Sequence, residues 1–209
     1  MKEKIPHGKI ISIVGAPGCG KSFLVNKLAT YYKGIAILEG EETDLPKQII
    51  RDLKYRDKNY EVFLWWRNKL AGEMLYAQKI KNSGKIVITD NFWMNNETYI
   101  DYFFHGFEKK IMKEISLIDR KLLSWPDAVI VLSTSLKHTR DIIKTRKRSF
   151  ENLEKYITMV KSVDLQHKKL FKNNPRVIFI NRTNMDFNKK SDLNRIIKKI
   201  NELLSSSSK

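Results

Sequence analysis

The sequence predicts an α/β fold in which helices cover both faces of a parallel β-sheet. Short apolar runs alternate with longer amphipathic segments along the 209 residues. The apolar runs are nearly continuous, which is typical of strands that are buried on both faces. A glycine, a proline or a polar turn separates most of these runs from the next segment. The five predicted strands are Lys9–Val14, Ile35–Leu38, Lys85–Thr89, Ala128–Leu132 and Val177–Asn181.

The segments between these strands carry apolar residues at helical spacing and therefore predict helices. Gly72 weakens the pattern of the longest one, because glycine destabilises a helix interior. No internal repeat or linker divides the chain, so residues 1–204 are predicted to form one domain and residues 205–209 a disordered tail. The predicted helices are Ser22–Tyr32, Pro46–Leu53, Tyr60–Asn82, Thr139–Lys144, Asn152–Phe171 and Asp192–Leu204, with a helical region over Glu97–Leu123.

Composition and charge narrow the class of protein. Hydrophobic residues make up 42% of the chain, and no apolar run approaches the ~18 residues of a membrane span. The single cysteine, Cys19, excludes an intrachain disulfide, so a soluble cytoplasmic protein is predicted. The net charge of +17 is uneven, with 18 Lys and Arg against six Asp and Glu over Lys137–Asn201. This excess fits a nucleic-acid surface or solvated basic helices, and lysines spaced opposite apolar residues favour the second interpretation.

One motif carries a specific chemistry. The run Gly15-Ala-Pro-Gly-Cys-Gly-Lys21-Ser22 matches G-x-x-x-x-G-K-[ST] in full and lies between a predicted strand and a predicted helix. Glycines let backbone N–H groups turn inward around phosphate oxygens, and the helix adds its positive end. Lys21 is expected to reach the β- and γ-phosphates, and the Ser22 hydroxyl to bind Mg²⁺. The sequence therefore predicts an ATP and Mg²⁺ site made by Gly15, Ala16, Pro17, Gly18, Cys19, Gly20, Lys21, Ser22 and Phe23, with Cys19 as an inert filler.

Acidic residues follow two of the predicted strands, at the sheet edge where α/β proteins bind ligands. Asp90 closes the third strand and is expected to support Mg²⁺, with a helix cap as the alternative. Glu39, Glu41 and Glu42 follow the second strand. A carboxylate of this cluster is suited to orient an acceptor hydroxyl or a metal-bound water, and a solvated loop is an equal interpretation.

A basic segment follows the fourth strand. Arginines that close over ATP stabilise the charge that develops on the transferred phosphoryl group, so a lid is predicted around residues 138–152. A nucleic-acid patch and a solvated charge run are the alternatives. The basic residues of the segment are Arg140, Lys144, Arg146, Lys147 and Arg148.

Together these motifs resemble the thymidylate kinase and deoxynucleoside kinase group of P-loop enzymes. Phe63-Leu-Trp-Trp-Arg67 is similar to a helix motif of thymidylate kinases, and the resemblance implies that Phe63 stacks on a base and that Arg67 binds the acceptor phosphate. Ala77–Asp90 resembles the segment that leads to a D-R motif in this family. The last two predicted strands and the predicted lid also resemble their counterparts in the family. The resemblance implies the strand order 2-3-1-4-5 and an adenine site near Asn181–Asn184.

The sequence departs from that family at several positions. Asn91 stands where the family has a phosphate-binding arginine, so Asn91 is assigned to the acceptor site and Asn91→Arg is expected to be tolerated. Gly40 replaces the proline after Glu39. Trp65 and Trp66 are bulky where the family often has small residues, and one of them is expected to belong to the helix core.

The predicted function is transfer of the γ-phosphate of ATP to a nucleoside monophosphate, with dTMP as the default acceptor and a role in nucleotide biosynthesis. Lys21, Asp90, Arg146, Arg148 and Glu39 are the predicted catalytic residues. A deoxynucleoside kinase, with Glu39 as the base for a 5′-hydroxyl, is the alternative. The two functions differ in whether the acceptor carries a phosphate that Arg67 must neutralise. A nucleic-acid-binding P-loop protein or a polynucleotide 5′-kinase is a further alternative. The sequence leaves open whether the chain forms a homodimer.

Overall fold

A five-stranded, all-parallel sheet forms the centre of the protein, in the order β2-β3-β1-β4-β5. The computed structural model describes residues 8–40, 44–55, 59–146 and 152–206. The predicted fold class and strand order are confirmed. The strands are β1 (Ile10–Gly15), β2 (Ile35–Ile37), β3 (Val87–Asp90), β4 (Ala128–Ser133) and β5 (Val177–Asn181).

Helices cover both faces of this sheet, and the ends of the six individually predicted helices lie within three residues of the observed ones. α3 runs unbroken through Gly72, as predicted, and the glycine is exposed. The predicted helical region Glu97–Leu123 is divided at Phe104–Gly106, where Phe104 is extended and Gly106 has a positive φ of 52°. The helices are α1 (Lys21–Tyr32), α2 (Lys47–Tyr55), α3 (Asn59–Asn82), α4 (Ile100–Phe103), α5 (Gly106–Leu122), α6 (Leu136–Arg146), α7 (Leu153–Phe171) and α8 (Lys190–Ser206), with a 3-10 helix at Trp93–Tyr99.

The last difference concerns the chain end. α8 continues to Ser206, so the first two residues of the predicted tail are helical. The Ser206 hydroxyl donates to the carbonyl oxygen of Leu203 at 2.8 Å, which satisfies one of the carbonyl groups left open at a helix end. Residues 207–209 lie outside the described part of the chain.

Alternating side chains of β1 build the two halves of the core. Ile11 and Ile13 pack with α1 and α8 on one face of the sheet, and Ile10 and Val14 pack with α3 and α7 on the other. These four side chains are fully buried, each contributing roughly 1.5–3 kcal/mol of hydrophobic stabilisation. The central strand is therefore held rigidly from both sides at the point where the P-loop begins.

The carboxyl ends of β1, β2 and β3 meet at one edge of the sheet. Parallel pairing sets Ile13 of β1 opposite Asp90 of β3, and the Asn91 N–H donates to the Ile13 carbonyl at 2.9 Å. The P-loop follows β1 and Glu39 follows β2 at the same edge. Among the described residues, no helix combines the length and apolar character that a bilayer crossing needs.

Candidate active site

The P-loop forms a tight turn between β1 and α1, and its glycines are required by geometry. Gly15 has a φ of 153°, and a Cβ there would lie 2.4 Å from the Leu132 carbonyl oxygen and 2.7 Å from the Cys19 sulfur. Gly20, with a φ of 86°, is the N-cap of α1. Burial raises the pKa of the Cys19 thiol to about 11, which keeps it neutral. A neutral, buried thiol is suited to filling space beneath the loop.

Ser22 and Asp90 meet at the mouth of the P-loop. The Ser22 hydroxyl donates to Asp90 Oδ2 at 2.5 Å, while the second oxygen of this buried carboxylate has no hydrogen-bond partner in the described structure. Within the described residues no group of three or more His, Cys, Asp or Glu could hold a metal ion. One hydroxyl and one carboxylate oxygen nevertheless fit Mg²⁺, which takes most of its ligands from water and phosphate.

A cavity of about 280 Å³ extends from the P-loop into the protein. Lys21, Ser22 and Phe23 line one end, and Glu39 lies beside them. The far wall is formed by α2, α3, the 3-10 helix and α7. A phosphate-binding loop and a carboxylate therefore open into the same enclosed space, as a phosphotransferase requires.

Glu39 and Asn91, both predicted to bind the acceptor, are joined in the structure. Asn91 Nδ2 donates to Glu39 Oε2 at 3.0 Å. Glu39 lines the cavity, but Asn91 is buried behind it and does not line the wall. Asn91 has a φ of 73°, a left-handed conformation that asparagine tolerates better than most side chains. Asn91 is therefore placed to orient Glu39, and its direct contact with the acceptor stays a prediction.

The same geometry reverses the expectation that Asn91→Arg is harmless. A buried side chain in a left-handed conformation leaves no room for a guanidinium, so the substitution should lower the free energy of unfolding by about 2 kcal/mol. Urea unfolding measures this change. Asn91→Gly is the matched control, since glycine accepts the backbone conformation; equal stability of Asn91→Arg and the wild type would contradict the placement of this residue.

Arg67, predicted to bind the acceptor phosphate, does not line the cavity. Its guanidinium donates to both carboxylate oxygens of Asp119 on α5, at 2.7 and 2.5 Å. Arg67 lies one helical turn after Phe63, and its pairing with Asp119 directs the guanidinium toward α5. The structure therefore gives Arg67 a contact between α3 and α5, and its binding of an acceptor phosphate stays a prediction.

The aromatic residues of the Phe63–Arg67 motif on α3 have two different positions relative to the cavity. Phe63 and Trp66 line the cavity, and Phe63 packs edge-on against Phe104 with ring centroids 5.3 Å apart. Trp65 does not line it but packs against Trp66 at 4.7 Å. Phe63 thus lies where stacking on a base is geometrically open to it, and one tryptophan of the pair supports the other.

Some predicted residues lie outside the described part of the chain, namely Glu41, Glu42, Lys147 and Arg148. Residues 138–146 of the predicted lid belong to α6, which ends at Arg146. Ile142 of this helix lines the cavity. The predicted lid segment therefore begins beside the P-loop.

A family model described as AAA domain matches residues 10–183. The match spans well over half of the chain and includes the P-loop and every strand of the sheet. The chain belongs to this AAA domain family. No curated protein sequence matches it.

Solved structures share the fold of this AAA domain protein. Deoxyadenosine kinase from M. mycoides with bound dATP superposes with a TM-score of 0.72 at 16% identity, covering 92% of this chain and 99% of that one. Thymidylate kinase from Candida albicans gives 0.70 at 16% identity, covering 95% and 94%. The predicted resemblance to thymidylate and deoxynucleoside kinases is therefore confirmed as a resemblance of fold.

Several cavity residues of the AAA domain protein were not found by sequence reasoning. Their position in the sequence could have identified two of them. Asn95 and Asn96 form a polar pair in an aromatic run just beyond β3, at the ligand-binding edge of the sheet. Asp52 had no local signal, because its burial depends on how α2 packs. The residues in question are Asp52, Asn59, Asn95, Asn96 and Tyr99.

Arg182 was likewise missed, although it follows β5 in the segment expected near the adenine. Its NH1 group donates to the Cys19 carbonyl at 3.0 Å and lies 1.8 Å from where a Gly20 Cβ would be. The guanidinium also packs on the Phe187 ring, 4.5 Å from its centroid. Arg182 therefore holds the outer side of the P-loop and adds a second reason for glycine at position 20.

Asp164 on α7 gives a pH-dependent contribution to stability. Burial raises the pKa of this half-buried carboxyl from 3.8 to about 6, although the nearby Lys168 opposes the shift. Because the folded pKa is the higher one, stability is lost as the pH rises through the window from about 4 to about 6. Asp164→Asn should therefore exceed wild-type stability above neutral pH by on the order of 1 kcal/mol after solvent screening, and not in acid.

Thermal unfolding at several pH values measures this difference. Asp141→Asn, which removes an exposed carboxylate from α6, is the control measured in parallel. A stability gain for Asp164→Asn that is equally large below pH ~4 would contradict the assignment to this carboxyl.

Proposed function

We propose that this AAA domain protein transfers the γ-phosphate of ATP to a hydroxyl group of a nucleoside. The observation that carries the proposal is the single cavity that joins the P-loop, Glu39 and the aromatic face of α3. The shared fold with a deoxyadenosine kinase and a thymidylate kinase supports the same class of reaction.

The donor half of the site is built by the P-loop. Backbone N–H groups of the loop and the N-terminus of α1 bind phosphate oxygens, and Lys21 neutralises charge on the β- and γ-phosphates. Ser22 and Asp90 would hold Mg²⁺, which supplies further charge neutralisation when bound. Arg146 and Arg148 remain the predicted lid arginines.

The acceptor half depends on Glu39. Its carboxylate accepts the proton of the acceptor hydroxyl while the hydroxyl oxygen forms a bond to the γ-phosphorus and the bond from that phosphorus to the β,γ-bridging oxygen breaks. The hydrogen bond from Asn91 to Oε2 orients the Glu39 carboxylate at the cavity wall. Phe63 and Trp66 would pack against the base.

Charge in the cavity favours a nucleoside over the monophosphate that the sequence suggested. No arginine among the described residues lines the cavity, and its wall carries the acidic side chains of Glu39 and Asp52. A phosphate group on the acceptor would be repelled by these carboxylates. Arg67, expected to bind such a phosphate, is paired with Asp119.

A nucleoside monophosphate is the second candidate acceptor. It is favoured by the basic segment after β4, whose arginines could supply the missing positive charge on closure, and by the fold shared with a thymidylate kinase. A single kinase domain over residues 1–204 and a cytoplasmic location stay predictions.

A panel of acceptors with labelled ATP tests the proposal. It contains the four deoxynucleosides, the four monophosphates including dTMP, and oligonucleotides with a free 5′-hydroxyl. We expect label to pass to at least one nucleoside with a higher kcat/KM than to its monophosphate. Preference for a monophosphate would establish the second candidate, and transfer only to oligonucleotides would refute both. Transfer to none of them would refute the proposed function.

A further inference from the structure

His167 is a buried histidine outside the cavity that contacts a residue of the cavity wall. It lies on α7 with 1% of its surface exposed. Its Nε2 is 2.8 Å from Oδ1 of Asn95, and Asn95 lines the cavity. The imidazole also stacks on Phe171, with ring centroids 5.8 Å apart and planes inclined by 18°. The ring is thus fixed in position and directed at the side chain of Asn95.

The contact determines where the proton of the imidazole is. A carbonyl oxygen can only accept, so Nε2 carries the proton and donates to Asn95. Nδ1, which has no partner among the described residues, then holds a lone pair. The opposite arrangement would bury an unpaired N–H donor, which is rarer in proteins than an unpaired acceptor. Burial, together with the charge of Lys21, lowers the pKa of His167 to about 3, so the ring stays neutral.

Three hydrogen bonds fix the position of Asn95. Its backbone N–H donates to Phe92, its backbone carbonyl accepts from the Thr98 hydroxyl at 2.6 Å, and its side-chain carbonyl accepts from His167. The side-chain amino group is the part left for a ligand. The neighbouring Asn96 donates with its amino group to the Phe63 carbonyl at 3.4 Å, which leaves its Oδ1 for a ligand.

We infer that His167 is a positioning residue that holds the amino group of Asn95 toward the acceptor, beside the carbonyl oxygen of Asn96. A donor next to an acceptor is complementary to the edge of a heterocyclic base, where ring nitrogens or carbonyls alternate with N–H groups. The substrate class is therefore a compound that carries such a base. The inference rests on the proposed function and names the group that recognises its acceptor.

Two substitutions at His167 separate this role from plain packing. His167→Phe keeps a ring against Phe171 but removes the donor, whereas His167→Gln places an amide N–H near the position of Nε2. With the best acceptor of the panel, we expect His167→Phe to raise the acceptor KM by about tenfold, the effect of one lost hydrogen bond, with the ATP KM unchanged. His167→Gln should restore most of the acceptor KM.

The double variant His167→Phe/Asn95→Ala provides the decisive comparison. If His167 acts through Asn95, the double variant is no worse than Asn95→Ala alone. Additive effects, a parallel rise in the ATP KM, or no rescue by glutamine would overturn the inference while leaving the proposed function intact.

¹⁵N NMR of the histidine ring gives a readout that needs no activity. We expect a protonated Nε2 and a bare Nδ1 for His167 in the wild-type protein, with the signal altered in Asn95→Ala. A protonated Nδ1 would overturn the inference even if no acceptor of the panel is phosphorylated.

Discussion

Lys21→Ala should reduce phosphoryl transfer by on the order of a hundredfold or more and leave the fold intact. Lys21 is a buried cation at the mouth of the cavity, beside Ser22 and Glu39. Its charge is needed where the γ-phosphate acquires negative charge in the transition state, and each ~1.4 kcal/mol of lost stabilisation costs a factor of ten. Initial rates with labelled ATP measure the effect.

Lys199→Ala is the matched control for this experiment, because it removes one exposed lysine from α8, far along the chain from the P-loop. It should keep wild-type turnover. Circular dichroism and thermal unfolding of both variants check that the fold is retained. If folded Lys21→Ala keeps more than about a tenth of wild-type turnover, its assigned role is wrong.

Glu39→Gln should lower kcat by about a hundredfold, the lower end of the range for loss of a general base, and leave the KM for ATP near its wild-type value. A glutamine oxygen can still accept the hydrogen bond that Asn91 donates to Glu39, so the local structure should be kept. What the amide cannot do is accept the proton of the acceptor hydroxyl. Steady-state kinetics with the best acceptor of the panel separates kcat from KM.

Two further variants make this prediction specific. Glu39→Asp keeps the carboxylate and should retain more activity than Glu39→Gln, although its shorter side chain reaches less far. Asn91→Gly leaves Glu39 unchanged but removes the group that orients it, so its kcat should lie between those of the wild type and Glu39→Gln. A Glu39→Gln enzyme with kcat within about threefold of the wild type would show that Glu39 is not the base.

The fold was largely predictable because its signals are local. Five nearly continuous apolar runs identified every strand, with bounds that differ by at most two residues from those of the structure. The strand order followed from the family resemblance and is the one observed. Helix bounds were predicted less well, as for α6, which begins at Leu136 and not at the predicted Thr139.

Only the phosphate-binding half of the candidate site was predictable from the sequence. P-loop residues are contiguous in the chain, so the motif predicts them as a group. The acceptor cavity collects residues from α2, α3, the 3-10 helix, α4, α6 and α7, and a side chain on each of them can turn toward or away from it. Arg67 and Trp66 are neighbours on α3, yet only Trp66 faces the cavity. Asn91 was assigned to the substrate, whereas its burial and positive φ direct it to Glu39.

The sequence by itself determined the α/β class, the P-loop and the acidic residues at the ends of β2 and β3, since each depends on contiguous residues and on apolar periodicity. Only the tertiary structure decided which side chains meet across the cavity. Asp119 lies 52 residues from Arg67, and His167 lies 72 residues from Asn95. Such contacts depend on the rotation and packing of whole helices against the sheet. Because hydrophobic burial sets that packing, local sequence does not reveal the partners of a polar side chain.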